Sequence, residues 1–290
     1  MHELLPNESQ SLNWYVWLGA LALMSAWEAA SPRLSLSTPL RRRWSGNFSL
    51  MLLGIFLVWW IAPVLGLEFS SIVTARQWGL LPNLGWPLWL NVLLGVVVLD
   101  LARYLLHWAA HHNALLWRIH RVHHTDQDFD FTTSARFHPI ELALVTALNL
   151  GIIACLGLHP IAILISETLS LAVNTFNHGN VRIPDAVDRA LRLVLVTPDM
   201  HRIHHSSEAT EFDANLGGLV PWWDRLFGTY VAQPARGHEG MLIGLPAYSE
   251  PKHATLWWML ANPLLSVESK TMSESSLPKQ GGTETIYRAQ

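Results

Sequence analysis

The sequence has a single cysteine, Cys155, among its 290 residues. Within this chain it can close no intramolecular disulfide, no thiolate zinc finger and no cysteine-ligated iron–sulfur cluster. Charge is equally scarce: Asp, Glu, Lys and Arg make up 14% of the residues while half are hydrophobic, too little charge to clothe a soluble shell. The formal net charge is -3, and no nucleic-acid partner is expected. No Gly-rich dinucleotide fingerprint and no Cys-x-x-Cys-His haem site are present, so any redox chemistry must draw electrons from a separate protein. The opening MHELLPNESQ has no basic stretch of the kind that begins a cleavable signal, and the first apolar segment is expected to stay in place.

What the sequence has instead is long apolar runs. Residues 48–66 and 86–106 are each about the length that a hydrocarbon core requires, and 12–31 is a third candidate, with Glu28 near its end. Residues 140–177 read as two apolar passes broken at Gly157 and at His159-Pro160, a helical hairpin. The expectation is five spans, or four if the hairpin is shallow. Basic residues orient them. Arg33, Arg41, Arg42 and Arg43 follow the first span, Arg118, Arg121 and Arg136 lie in 107–139, and 67–85 holds only Arg76. By the positive-inside rule, 32–47, 107–139 and everything after 178 are cytoplasmic and the N-terminus lies outside, in a bacterial inner membrane or an endoplasmic reticulum. Trp14, Trp17, Trp59, Trp60, Trp86 and Trp89 fall near span ends, where interfacial anchors or packing residues belong. Residues 254–265 are too short to cross and read as interfacial, and the polar stretch from Ser266 to Gln290 reads as a disordered tail.

Into this apolar chain the same phrase is written twice, His-Arg-Val-His-His at 120–124 and His-Arg-Ile-His-His at 201–205. Imidazoles at i, i+3 and i+4 share one helix face, so each phrase is expected to present three ligands to one point, and two faces imply two metal ions. His107 and His111 lie upstream of the first phrase, His112 beside them, His138 after it, and His178 before the second. Of the 15 histidines only His2, His159, His238 and His253 stand apart. Asp100, Tyr104, His107 and His111 form one helical stripe, in which Asp100 either accepts the N–H of a ligating imidazole or pairs with Arg103. Glu167, Asn174 and His178 form a second stripe, where Glu167 orients a ligand, relays protons, meets a lipid head group or simply bonds to a neighbouring helix.

So many histidines overshoot a single zinc site, and calcium or magnesium would demand oxygen ligands. Imidazole alone leaves iron, copper, nickel and zinc open. Two iron ions, each held by about four or five imidazoles, would suit oxygen activation on an apolar substrate, with two zinc ions as the alternative.

These residues carry a resemblance. The run 100–141, then NTFNHGN at 174–180, PDMHRIHHS at 198–206 and NLGGLVPWWDRLFGTY at 215–230, resembles the fatty acid hydroxylase / sterol desaturase superfamily over about residues 86–230. The resemblance implies an integral membrane di-iron oxidoreductase that hydroxylates or desaturates a lipid acyl or alkyl chain, or a sterol, with dioxygen and electrons from a cytochrome, ferredoxin or reductase. It assigns as metal ligands His107 and His111, then His120, His123 and His124, then His178, and finally His201, His204 and His205. His138 matches a family position as ligand or as neighbour of one, and His112 has no counterpart. Two departures stand out: Trp108 follows His107 where Arg is common, and Asn174 occupies a position where some members carry histidine. Asp224 and Arg225 read as architectural.

The expected molecule is an all-α integral membrane protein of four or five transmembrane helices with a cytoplasmic, helical, histidine-rich metal-binding cap. Its parts are N-terminal helices and loops over 1–85, a membrane-embedded catalytic domain over 86–253, and an interfacial segment with tail over 254–290. Hydroxylation of an acyl or alkyl chain is favoured over sterol desaturation. Two rivals are a membrane zinc hydrolase with Asp199 or Glu141 as base and a metal carrier, which should string its ligands through the bilayer.

Overall fold

A computed structural model describes residues 6–62 and 66–266. The apolar runs form helices: α1 Pro6–Ala30, α2 Leu40–Ile61, α3 Gly66–Ala75, α4 Leu88–His112, α6 Pro139–Leu156 and α7 Pro160–Asn177. Between and after them come α5 Ala114–His124, α8 Asp185–Leu191, α9 Pro198–His204, α10 Ala209–Phe212, α11 Trp222–Phe227, α12 Gly237–Gly240 and α13 Leu256–Ala261. Among the described residues there are no strands, only isolated bridges such as Pro32 with Val181. The fold is all-helical, as the apolar periodicity requires.

Local chemistry sets the helix ends. Asn113 breaks α4 from α5, its side chain accepting from the amides of Leu115 and Leu116, so the chain turns while the histidines on both helices stay close. Pro139 and Pro160 occupy first-turn positions that need no amide, and the rings of His138 and His159 accept from Ile140 and Ile161. Gly157 closes α6 in the left-handed region at φ 71°, where a Cβ would stand 2.3 Å from the Trp78 carbonyl oxygen. Only glycine fits that turn.

Among the described residues, three stretches are long and apolar enough to cross a membrane: Leu40–Ala75, Leu88–His112 and Pro139–Leu156. The helices α1 and α7 are less apolar, since α1 carries Asn13 and Glu28 and α7 carries Glu167 and Asn174. A count of four or five spans therefore rests on these two, which pack on each other, with α7 also lying against α4. Trp14, Trp59, Trp60, Trp86 and Trp89 are exposed, as lipid-facing anchors would be, whereas Trp17 turns inward. Away from the histidines the helices close around Leu67, Val73, Leu81, Leu99, Ile153, Leu158 and Ile163.

At the opposite end, α5, α9 and the 3-10 turn Phe131–Ala135 gather against the ends of α1, α4 and α7 and the start of α2. A buried ion network fixes them. The Arg43 guanidinium meets Asp126 at 2.8 Å and Asp130 at 2.6 Å, while Arg136 donates to Asn47, Thr125 and the Val122 and His253 carbonyls. Residues 254–265 do not simply lie on a surface: Met259 is buried against Leu50 and Val122, and Arg121 donates to the Asn262 and Leu265 carbonyls, although Trp257 stays exposed. The expected disordered tail, from 267 onward, lies outside the described residues.

Candidate metal centre

Nine histidines from four segments converge where α4, α5, α7 and α9 meet. They form two groups, His107, His111, His120, His124 and His204 in one, and His123, His178, His201 and His205 in the other. Within each group one nitrogen of every ring lies within 4.8 Å of the others. The groups share a wall, since the rings of His124 and His205 stack at 4.7 Å and His123 and His124 stand 5.4 Å apart.

This partition corrects the expectation that each phrase serves one ion. His120 and His124 turn to the first group and His123 to the second; His204 joins the first, His201 and His205 the second. Each residue advances about 100° around a helix, so positions i+3 and i+4 flank the face that i occupies rather than coinciding. A helix lying between two ions offers one flank to each.

Outer partners set the rings. His107 Nδ1–H donates to the Leu216 carbonyl at 2.7 Å, His204 Nδ1–H to the Ala214 carbonyl at 3.0 Å, and His178 Nδ1–H to the Asn174 carbonyl at 2.8 Å. The Glu141 carboxylate stands 2.7 Å from His120 Nδ1 and the Asp213 carboxylate 3.0 Å from His111 Nδ1. With the proton held at Nδ1, the inward Nε2 is left with its lone pair free for a metal. Burial pushes His178 down to about 4, and burial followed by neighbouring histidines pushes His123, His124, His201, His204 and His205 well below the usual imidazole range. Neutral rings are the ligating form.

The donor set fits metal. His178 Nε2 faces His123 Nε2 and His201 Nε2, each at 3.2 Å, and His120 Nε2 faces His124 Nε2 at 3.1 Å. Converging lone pairs at that separation repel unless a proton or cation lies among them. His107 Nε2, His204 Nε2 and both nitrogens of His205 are buried without a hydrogen-bond partner, a costly state that coordination would relieve.

Other residues singled out in the sequence lie elsewhere. His138 joins neither group: its Nδ1 caps α6 and its Nε2 faces the Leu260 carbonyl at 3.4 Å. His112 points outward and stacks on Trp108. Asp100 accepts from Trp223 Nε1 at 2.8 Å and touches no imidazole, so it ties α11 to α4. Glu167 accepts from Asn13 at 3.1 Å. The Asn174 side chain donates to the Ser134 carbonyl, and it is its main chain that orients His178. Asp199 is engaged by Arg33 and Arg202. Asp224 is architectural in the plainest sense, accepting from the amides of Leu216 and Gly217 and from Thr229. Asp213 carried no signal in the sequence, and Glu141 stood out as a candidate base of a zinc hydrolase, not as the partner of His120.

Beside the histidines opens a cavity of about 830 Å³ that runs between α1, α2, α4, α6 and α7, from His107, His120, His123, His178 and His201 to Trp14, Trp17, Met51 and Trp59. Its wall is predominantly apolar. A helical bundle with membrane-length apolar helices, a double polyhistidine cluster at one end and an apolar chamber beside it defines the class: a membrane-type protein with a candidate metal site.

Residues 92–229 match the fatty acid hydroxylase family. This stretch, just under half of the chain, is therefore a domain of fatty acid hydroxylase type. Ornithine lipid hydroxylase OlsE of Rhizobium tropici is 32% identical over 149 residues, 51% of this chain and 44% of that protein. Alkylglycerol monooxygenase of Homo sapiens is 27% identical over 184 residues, 62% of this chain and 38% of that protein. Methylsterol monooxygenase 1 of Rattus norvegicus is 32% identical over 168 residues, 57% of this chain and 53% of that protein. The chain thus spans about half or less of the length of these curated relatives. No solved structure matches it.

Proposed function

We propose that this protein is an integral membrane oxidoreductase that hydroxylates a lipid, with two iron ions held by the nine histidines. The observation that carries the reading is the double histidine centre opening directly on a cavity of about 830 Å³ among membrane-length helices. Bound iron would supply dioxygen activation. The overall reaction, R–H + O₂ + 2 e⁻ + 2 H⁺ → R–OH + H₂O, needs an electron donor, and the chain has no motif for one, so a cytochrome, ferredoxin or reductase docks on the arginine-rich side, taken as cytoplasmic.

The chain's own groups do the rest. Apolar cavity walls draw an acyl or alkyl chain out of the bilayer and exclude water from the reacting carbon. Glu141, Asp213 and the carbonyls of Leu216, Ala214 and Asn174 hold the rings in the ligating tautomer. The names of the relatives, a lipid hydroxylase and monooxygenases of alkylglycerol and methylsterol, support a lipid substrate.

A hydrolytic zinc site is disfavoured because its two candidate bases are engaged, Glu141 by His120 and Asp199 by Arg33 and Arg202. A carrier is disfavoured because the ligands gather at one end of the bundle. The test is to purify the protein, count its metals, and compare lipids from cells with and without it for a gain of one oxygen atom. His204→Ala should lose both bound iron and product. Two zinc ions, or oxygen-independent turnover, would overturn the reading.

A further inference from the structure

Within the cavity, about one helical turn (~6 Å) before His107, stands Arg103. A guanidinium at this depth in a bundle of apolar helices is expensive and marks a binding function by default. Its Nη1 donates to Ser166 Oγ at 2.9 Å and Ser170 Oγ at 2.7 Å, both on α7, and no carboxylate among the described residues lies within ion-pair distance. The compensating negative charge comes from Asp100 and Glu167 at longer range. Asp100 is already committed to Trp223 Nε1 and the Leu219 and Val220 backbone. Glu167 is not: it also lines the cavity and, among the described residues, meets one donor, Asn13 Nδ2, which is itself fixed by Thr168. Neither residue touches a histidine of the metal centre, so the site already described leaves both unexplained.

We infer that Arg103 and Glu167 form a clamp for the polar end of the lipid, binding a head group that pairs an oxyanion with an N–H donor. The oxyanion meets the Arg103 fork, and an ammonium or amide N–H meets Glu167. A purely anionic head would face two carboxylates, and a neutral one would leave the guanidinium unanswered, so a zwitterion matches the field best. The lipid then enters head first, its tail runs back past Met51, Ile55 and Trp59, and the carbon brought to the metal lies within a few bonds of the head.

The inference rests on the lipid-hydroxylase reading, and its test separates the two. Binding of three single-chain probes with the same acyl group, lysophosphatidylethanolamine, lysophosphatidic acid and monoacylglycerol, is measured on the purified, metal-loaded protein. The zwitterion should bind tightest. Arg103→Gln and Glu167→Gln should each weaken it by about 10- to 100-fold, with monoacylglycerol binding and metal content unchanged. Arg103→Lys, which keeps the charge but loses the fork, should fall between. Equal affinity for the three probes, or variants that bind the zwitterion as the parent does, would overturn the clamp while leaving the hydroxylase reading intact. Selective binding with no oxygenated lipid in cells would instead retire the hydroxylase reading alone. Fragmentation of the cellular product adds a second readout: a hydroxyl near the head supports the clamp, and one near the methyl end sinks it.

Discussion

Five of the nine imidazoles have a partner on the far nitrogen, and two of those partners are carboxylates. Glu141 lies beside His120 and Asp213 beside His111, so each carboxylate fixes the ring proton at Nδ1 and turns Nε2 inward as the ligating atom. Replacing Glu141 with Gln keeps the shape and removes the charge. The expected outcome is a loss of about 10- to 100-fold in metal affinity with the fold retained, measured by metal content against a graded chelator series. Asp213→Asn should act in the same direction and less strongly, because Asp213 is itself substantially exposed. Equal metal retention in both variants would show that geometry alone, without the carboxylate charge, holds the rings.

At the scale of elements, two devices hold the histidine segments in register. The first is Arg43 on α2, buried between Asp126 and Asp130 just beyond α5. Arg43→Met would strand two buried carboxylates, at a cost of about 3–5 kcal/mol, read as reduced resistance to denaturant in detergent with early loss of metal. The second is Asp224, which gathers the Leu216 and Gly217 amides and so positions the carbonyl that orients His107. Burial pushes its carboxyl up to about 6, against the hydrogen bonds from Thr229, Gly217 and Leu216. The folded chain therefore keeps this proton to a higher pH than the unfolded chain does. Its contribution to stability falls as pH rises from about 4 to about 6, by at most about 3 kcal/mol. The buried histidines titrate in the opposite sense, so the readout is the melting temperature of the parent minus that of Asp224→Asn. That difference should decline between pH 4.5 and 6.5; a flat difference would remove Asp224 as its source.

For the whole molecule, the decisive property is that every ligand segment reaches the same end of the bundle. From the arginine distribution we propose that this end faces the cytoplasm and the 76–85 loop the opposite side. With Cys155 replaced by Ser, Arg76→Cys should react with a membrane-impermeant maleimide in intact cells, and Lys252→Cys only after permeabilisation. The reverse pattern would invert the orientation and move the proposed electron donor to the other compartment.

Much of this was legible in the sequence because it is local. Apolar run length specifies helices, Pro139 and Pro160 specify where two of them start and Gly157 where one stops, and imidazoles repeated at helical spacing specify a candidate polyhistidine metal site. Residues at fixed offsets on one helix keep their angular relation whatever the rest of the chain does. Which ion each ring faces depends instead on where other helices stand, so only the tertiary structure could divide His120 and His124 from His123. Likewise it gave His120 to Glu141 and His111 to Asp213, set Asp100 on Trp223 rather than on an imidazole, and left His138 as a helix cap. Apart from the local cap at His138, those choices are made by hydrogen bonds between residues up to 123 positions apart, whose geometry no short-range pattern encodes.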